Sequence, residues 1–250
     1  MQLDKLNDEP QAQRFIWLGK EDLSETGDSA RAIIGPPNFM HIWWLEKALS
    51  AARSVARVRL NYEMASGFLI APDIFMTNHH VFHTADDARS ARLEFNYRQA
   101  DAQGSAITPV DVWECDPDAM FKADPTLDYA IVKVKPKNGQ TAGEVWGVLN
   151  PRHGQTVDVD SRVNLIQHPR GEVQQIALRD NLVKAVRKVF IQYLTDTEYG
   201  SSGSPVLDDN FNVVALHSQR VPHPDFPDRW YRNQGFRIEA ILADAGSLIP

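Results

Sequence analysis

One cysteine, Cys115, stands among 250 residues, so no intrachain disulfide can form and packing alone must hold the fold. A reducing, cytoplasmic setting is the expectation that follows. Long hydrophobic runs are also missing. "GFLIAP" is typical of the longest, far short of the ~20 apolar residues a membrane helix needs. The start, "MQLDKLNDEPQAQR", has no basic stretch leading into an apolar one, so with Met1 as the start no secretory signal is expected. An excess of bases is absent too: 26 Lys and Arg face 33 Asp and Glu, for a net charge of −7. No basic stripe with interleaved aromatics occurs, which argues against nucleic-acid binding. There is no internal repeat and no low-complexity tract. What remains, 43% hydrophobic and 24% charged, is ordinary for a soluble globular protein with one large or two small domains.

Residues 1 to about 37 are polar, lack sustained periodicity and end in "GPPN". Next, in "HIWWLEKALSAARSV", Leu45, Ala48, Leu49, Ala52 and Val55 recur at the spacing of one helical face, predicting an amphipathic helix of about three turns. Short apolar or alternating segments then follow one another: "VRL", "GFLIAP", "DIFMTN", "ARLEFNY", "PVDVWEC", "DYAIVKVK", "SRVNLIQHP", "VQQIALRDN", "KVFIQYL", "SPVLDD" and "NVVALHS". Many short strands without long helices between them predict an all-β barrel or sandwich. "GFRIEAILADAG" places Ile238, Ile241 and Leu242 on one helical face, with Gly246 as the stop.

The chemistry gathers in three places. "GSSGSP" at 200–205 has glycines that permit the tight backbone path needed to aim two N–H groups where a serine hydroxyl points. The G-x-S-x-G elbow does not fit, because residue 204 is serine; G-x-S-G-x-P does, with Ser202 as nucleophile and the Gly200 and Ser202 amides as oxyanion donors. A plain Gly/Ser turn before a strand is the competing reading. "TNHHVFH" supplies His79, His80 and His83 as candidate bases, and "PTLDYAIVKV" supplies Asp128 directly before an apolar strand. A general base needs a third group to orient it, and Asp128 is suited to that, although a carboxylate starting a strand is also common in turns. Zinc is the rival for the histidines. His79 and His83 have helical-site spacing, but no glutamate lies between them and no thiolate cluster exists, so no metal and no cofactor is expected.

Read in order, His80, Asp128 and Ser202 follow the chymotrypsin-type sequence His…Asp…Ser. "GFLIAPDIFMTNHHVF", "LDYAIVKV" and "GSSGSPV…VVALHS" resemble the corresponding segments of trypsin-fold proteases related to bacterial glutamyl endopeptidases and exfoliative toxins. The likeness spans roughly Ser54 to Ala240. The helix near residue 45 is similar to one in intracellular bacterial trypsin-like peptidase domains. The resemblance implies two six-stranded antiparallel Greek-key barrels. It suggests an N-terminal extension with a helix over 1–53, a first barrel over 54–138 with His80 and Asp128, and a second over 139–250 with Ser202 and a C-terminal helix. It further implies a serine endopeptidase acting on protein or peptide substrates, with no nucleic acid, membrane or cofactor involved.

Substrate choice by the same resemblance falls to Thr197, five residues before Ser202, and His217, fifteen after, with Ser218 beside it. Glutamyl-specific relatives use such a pair to hold an acidic side chain. Asp196 departs from this, since trypsin-like enzymes keep an aspartate there to bind Arg or Lys, so both preferences stay open. A second departure concerns activation: Ser201 stands where a zymogen aspartate would receive a new N-terminus, so "RAIIGPP" at 31–37 cannot serve that route. Residues 1–53 are then expected to pack on the barrels or to dock on a regulatory protein partner. A catalytically silent binding module and an acyl hydrolase acting on esters are the other readings.

Overall fold

The structure is a computed structural model that describes residues 39–61, 63–226 and 230–249. The polar arm 1–37, with "RAIIGPP", lies outside the described residues. The chain divides into a segment ending at Ile42 and a compact unit beginning at Trp43, and every described helix and strand belongs to the latter.

Two antiparallel sheets make up that unit. The first comprises β1 (Val55–Leu60), β2 (Glu63–Ala71), β3 (Ile74–Thr77), β4 (Arg92–Phe95), β5 (Asp111–Glu114), β6 (Phe121–Asp124) and β7 (Tyr129–Lys133), in the order β5-β4-β1-β2-β3-β7-β6. Backbone bonds from Asp116 N to Lys133 O (2.7 Å) and from Lys135 N to Glu114 O (2.9 Å) tie the end of β5 to the end of β7 and close the sheet on itself. The second comprises β8 (Asn164–Gln167), β9 (Gln175–Ala177), β10 (Val183–Val186), β11 (Phe190–Tyr193), β12 (Pro205–Leu207), β13 (Val213–Pro222) and β14 (Trp230–Arg237), in the order β10-β11-β14-β13-β12-β8-β9. There, Val163 N to Asn181 O and Val183 N to Ser161 O, both 2.9 Å, join the approaches to β8 and β10. Each sheet thus carries seven strands, one more than expected.

Strand alternation explains why β2 reads as an unbroken apolar run. Leu69 points into the first barrel with Phe75 and Val132, while Phe68 and Ile70 point out of it, against Leu207, Leu216, Ile238 and Ile241. Both faces of β2 are therefore buried, as are those of β7, where Ala130 and Val132 face inward and Tyr129 and Ile131 face the seam. Val163, Leu165, Val183, Ile191, Tyr193 and Val206 fill the second barrel. The seam is thus apolar, and it is where residues from both barrels meet.

Three strands escaped the sequence pattern. β6 is half-buried throughout, β10 alternates buried Val183 and Ala185 with half-buried positions, and β14 is rich in polar residues. Two helices of about one turn, α2 (Ala85–Ser90) and α3 (Ala142–Trp146), also escaped it. Each opens on a capping box, Thr84 with Asp87 and Thr141 with Glu144, which satisfies the amides at its start.

The predicted N-terminal helix is α1 (Trp43–Arg53); Ala48 and Ala52 of the expected face pack against the core and Val55 is buried at the start of β1, but the two leucines are not buried. Leu45 and Leu49 are 53% and 61% exposed, whereas Trp44 and Ala51 are buried. Trp44 packs on Phe211 (4.9 Å between ring centres) and its indole N–H donates to Asp209 O at 2.8 Å. The indole fills a pocket on the second barrel, and that rotates the helix away from its leucine stripe. At the other end, α4 (Ile238–Ala245) buries Ile238, Ile241, Leu242 and Ala245 and stops at Gly246, with Tyr129 donating to Asp244 at 2.5 Å. Residues 235–237, read as the start of that helix, belong to β14 instead, where they pair with β11 and β13.

Candidate active site

β3 and β7 are neighbours, with Thr77 opposite Ala130, so the turn after β3 and the residue before β7 lie side by side. That is how His80 meets Asp128. The imidazole Nδ1 lies 3.1 and 2.9 Å from the two carboxylate oxygens, and the His80 amide donates to Oδ1 at 3.0 Å. Asp128 reaches this position with φ +45°, a left-handed conformation uncommon outside glycine. The Asn78 side-chain amide, donating to the Asp128 carbonyl at 2.8 Å, supports the strained turn. Ser218, on β13 of the second sheet, donates its hydroxyl to Asp128 Oδ2 at 2.5 Å. Burial opposes the charge of the Asp128 carboxylate. The bond and attraction from His80, the Ser218 hydroxyl and the His80 amide outweigh it and hold the carboxyl below its ordinary pKa. Asp128 is thus a carboxylate at neutral pH and accepts from the His80 Nδ1–H, the tautomer that leaves Nε2 as the acceptor.

The serine loop is held from both barrels. Ser202 O accepts from Ser66 N on β2 (2.8 Å), Gly203 N donates to His217 O and His217 N to Ser204 O, both 3.0 Å. Gly203 has φ +83°, and a Cβ there would stand 2.2 Å from Ser66 O and 2.3 Å from Thr77 Oγ1, so no other residue fits. Ser202 itself is half-buried. No hydrogen bond joins His80 to Ser202. They are brought to the same region through β13, where Ser218, bonded to Asp128, follows the His217 carbonyl that anchors Gly203. A cleft of about 470 Å³ opens there, lined by His79, His80, Pro125, Asp128, Ser218, Gln219 and Phe236. Ser218, expected to touch substrate, lines this cleft but spends its proton on Asp128. Among the described residues no three His, Cys, Asp or Glu side chains converge on a common point; His79 and His83 meet edge to face at 5.1 Å.

The expected specificity residues are dispersed. Asp196 and Thr197 line a separate cavity of about 230 Å³ with Glu198, Gln167 and Arg170. The Thr197 hydroxyl donates to Asn233 Oδ1 at 2.6 Å, and Asn233 Nδ2 donates to Thr195 O at 2.6 Å. His217 is buried, with Nδ1 2.7 Å from the hydroxyl of Tyr193. Burial, with His80 adding to it and Asp128 opposing it, pushes the His217 pKa down to about 3. Tyr193 is fully buried, and its phenolic proton needs an acceptor, which Nδ1 provides; the imidazole proton then sits on Nε2. His217 is therefore a neutral donor.

Sequence reasoning missed Ser66, Asn78, Tyr193 and Asn233. Asn78 lay inside the quoted "TNHH", where an amide beside the base could have been noticed. The others carry no local signal, because only the barrel closure brings them to the site.

Residues 65–216 match the trypsin-like peptidase domain family. The chain belongs to that family. This trypsin-like peptidase domain is a serine hydrolase fold, and the match runs through His80, Asp128 and Ser202. It is 30% identical over 262 residues to an uncharacterized protein, y4fB, of Sinorhizobium fredii, covering 87% of this chain and 39% of that protein. It is 34% identical over 193 residues to secreted RxLR effector protein 73 of Plasmopara viticola, covering 68% and 46%, and 25% identical over 165 residues to exfoliative toxin A of Staphylococcus aureus, covering 64% and 58%. The trypsin-like domain thus spans only about two-fifths to three-fifths of these relatives. Among solved structures, a Glu endopeptidase in complex with MPD aligns at TM-score 0.55 and 19% identity, covering 77% of this chain and 88% of that one. Rv3671c of Mycobacterium tuberculosis, the inactive form of a serine-to-alanine mutant, aligns at 0.56 and 16%, covering 81% and 91%. These two likenesses establish the fold. Among the described residues no helix is long and apolar enough to cross a membrane.

Proposed function

We propose that this domain is a serine endopeptidase in which Ser202 is the nucleophile, His80 the general base and Asp128 the residue that orients and charges-balances the imidazole. The observation that carries the reading is the His80–Asp128 pair, 2.9 Å apart, locked by Ser218 from the opposite barrel beside the Gly203–His217 bond of the serine loop. His80 Nε2 takes the Ser202 proton as Oγ attacks a peptide carbonyl. The amides of Gly200 and Ser202 receive the oxyanion, and His80 then passes the proton to the departing amine. Water, deprotonated by His80, attacks the ester in turn and releases the acid and Ser202. None of these steps calls on a cofactor.

The side chain on the acyl side of the cut is the finer question. An acidic residue is the preference we propose, supported by His217, a donor next to Ser218. Because His217 is neutral down to a pH of about 3, it offers a hydrogen bond rather than a charge, and the preference should not fade as pH rises from 5 to 8. A preference lost over that interval would mean a titrating imidazole instead. Asp196, on the wall of the other cavity, supports the competing preference for Arg or Lys. A peptide library read by mass spectrometry separates the two. A cytoplasmic site of action belongs to the same proposal, supported by the lone buried thiol of Cys115, and cell fractionation tests it.

A fluorophosphonate tests the catalytic core. It should add to Ser202 in the folded protein and fail to add in the His80→Ala variant. Asp128→Asn should lower turnover by about 10⁴-fold while leaving the protein folded. Absence of labelling in folded wild-type protein would favour the silent binding module.

A further inference from the structure

The candidate oxyanion hole is held open by the first barrel and by the turn after β8. Peptide bonds here are trans, so the N–H of Gly200 points opposite to the C=O of Tyr199. The Tyr199 carbonyl is bound by the amide of Arg170. That fixes the plane of the Tyr199–Gly200 peptide and turns its N–H away from the turn. On the far side of the glycine, the Gly200 carbonyl accepts from the Ser66 hydroxyl at 2.8 Å, and that hydroxyl accepts from the His168 amide at 3.0 Å. Ser66, His168 and Gly200 are buried. Gly200 has φ +90°, and a Cβ there would lie 2.5 Å from His168 O and 2.6 Å from Gly171 N, so the glycine sits flush against the turn. Among the described residues neither the Gly200 nor the Ser202 amide donates a hydrogen bond, which leaves both available to a developing anion.

Ser201 completes the arrangement. It is buried and uncharged, and its hydroxyl accepts from the Glu198 amide at 3.1 Å, while its own amide donates to Glu198 O at 3.0 Å. The loop before Ser202 is thus closed on itself by neutral bonds at the position where an ion pair would otherwise be needed.

We infer that Ser66 is a positioning residue for the reaction: its hydroxyl, relaying the His168 amide to the Gly200 carbonyl, together with the Arg170 amide on Tyr199 O, fixes the Gly200 N–H toward Ser202 in the chain as it stands. The inference rests on the peptidase reading above, and one of its tests does not need that reading to hold.

Two measurements address it. In the Ser66→Ala variant the Gly200 peptide loses one anchor. The rate constant for inactivation by diisopropyl fluorophosphate, whose phosphoryl oxygen occupies the hole, should fall by about 10- to 100-fold, less than the 10²–10³ of deleting a donor. Peptide kcat should fall in parallel, KM should stay within about twofold of wild type, and Ser66→Thr, which keeps the hydroxyl, should recover most of the loss. Equal kcat in Ser66→Ala and wild type would overturn the inference, as would a loss carried by KM. The second measurement uses wild-type protein and so does not depend on the variant folding. Tyr199–Gly200 is the sole Tyr–Gly pair in the sequence, so ¹³C-carbonyl tyrosine with ¹⁵N-glycine gives one amide signal for this peptide. A single form in the free protein that shifts when diisopropyl fluorophosphate reacts is expected. Two forms in the free protein, collapsing to one on reaction, would overturn it. If no reagent labels Ser202 while the signal is single, the peptidase reading fails and the fixed peptide stands.

Discussion

Two histidines outside the proposed triad are buried as neutral groups. His217 leans on Tyr193, and His168 places Nδ1 3.0 Å from Glu172 O. The pKa of His168 is pushed down to about 4, chiefly by burial, with the Glu172 carbonyl opposing and Arg57 adding to it. In the unfolded chain both would titrate near the ordinary value of 6.5. Below that pH the unfolded state binds protons that the folded state refuses, so folding stability falls with acidification. The slope is about 1.4 kcal/mol per pH unit for each histidine, running from about 6.5 down to about 4 for His168 and further for His217. Asp128 contributes in the same direction at lower pH, since its depressed pKa gives stability that is lost as its carboxylate protonates. Urea midpoints measured at pH 7 and pH 5 should therefore differ. A His168→Gln variant should show a smaller difference; an unchanged one would remove His168 from the account.

At the scale of elements, α1 offers the sharpest contrast. Truncating Trp44 to alanine removes an indole packed against Phe211 and a bond to the Asp209 carbonyl, and should cost about 3–5 kcal/mol in chemical denaturation. Leu49→Gln, on the exposed face, should stay within about 0.5 kcal/mol. The sequence pattern would have ranked these two the other way. Periodicity located the helix, because a 3-and-4 spacing survives whichever neighbour it meets, but it could not choose between a leucine stripe and a tryptophan that had found a pocket. The strands behave likewise. β2 and β7 were legible because both faces are buried and only apolar residues serve there. β6, β10 and β14 were not, because half-buried strands accept polar residues freely and register comes from their partners. The pairing of His80 with Asp128 and the tight turn around Ser202 were legible because each sits in a short motif with a backbone requirement, as the positive φ of Asp128, Gly200 and Gly203 shows. Ser66 and Asn233 meet their partners through the fold alone, at separations of 134 residues from Gly200 and 36 from Thr197.

For the whole molecule, the proposed mechanism divides the labour between the two barrels, with His80 and Asp128 on the first and Ser202 on the second, and β2 and β13 carry bonds that cross between them. Ser201 is neutral and its loop is closed on itself, so the proposed mechanism calls for no new N-terminal amine. Protein trimmed immediately before Ile33 should then cleave peptides within about twofold of the intact chain, whereas a trypsin-like zymogen would gain activity by orders of magnitude. The central claim is that His80, Asp128 and Ser202 act as one unit, and non-additivity tests it most directly. Measured kcat/KM for Ser202→Ala, His80→Ala and the triple variant with Asp128→Asn should be equally low, with the triple no worse than Ser202→Ala. Losses that multiply from one variant to the next, or a Ser202→Ala variant that still turns over, would contradict it.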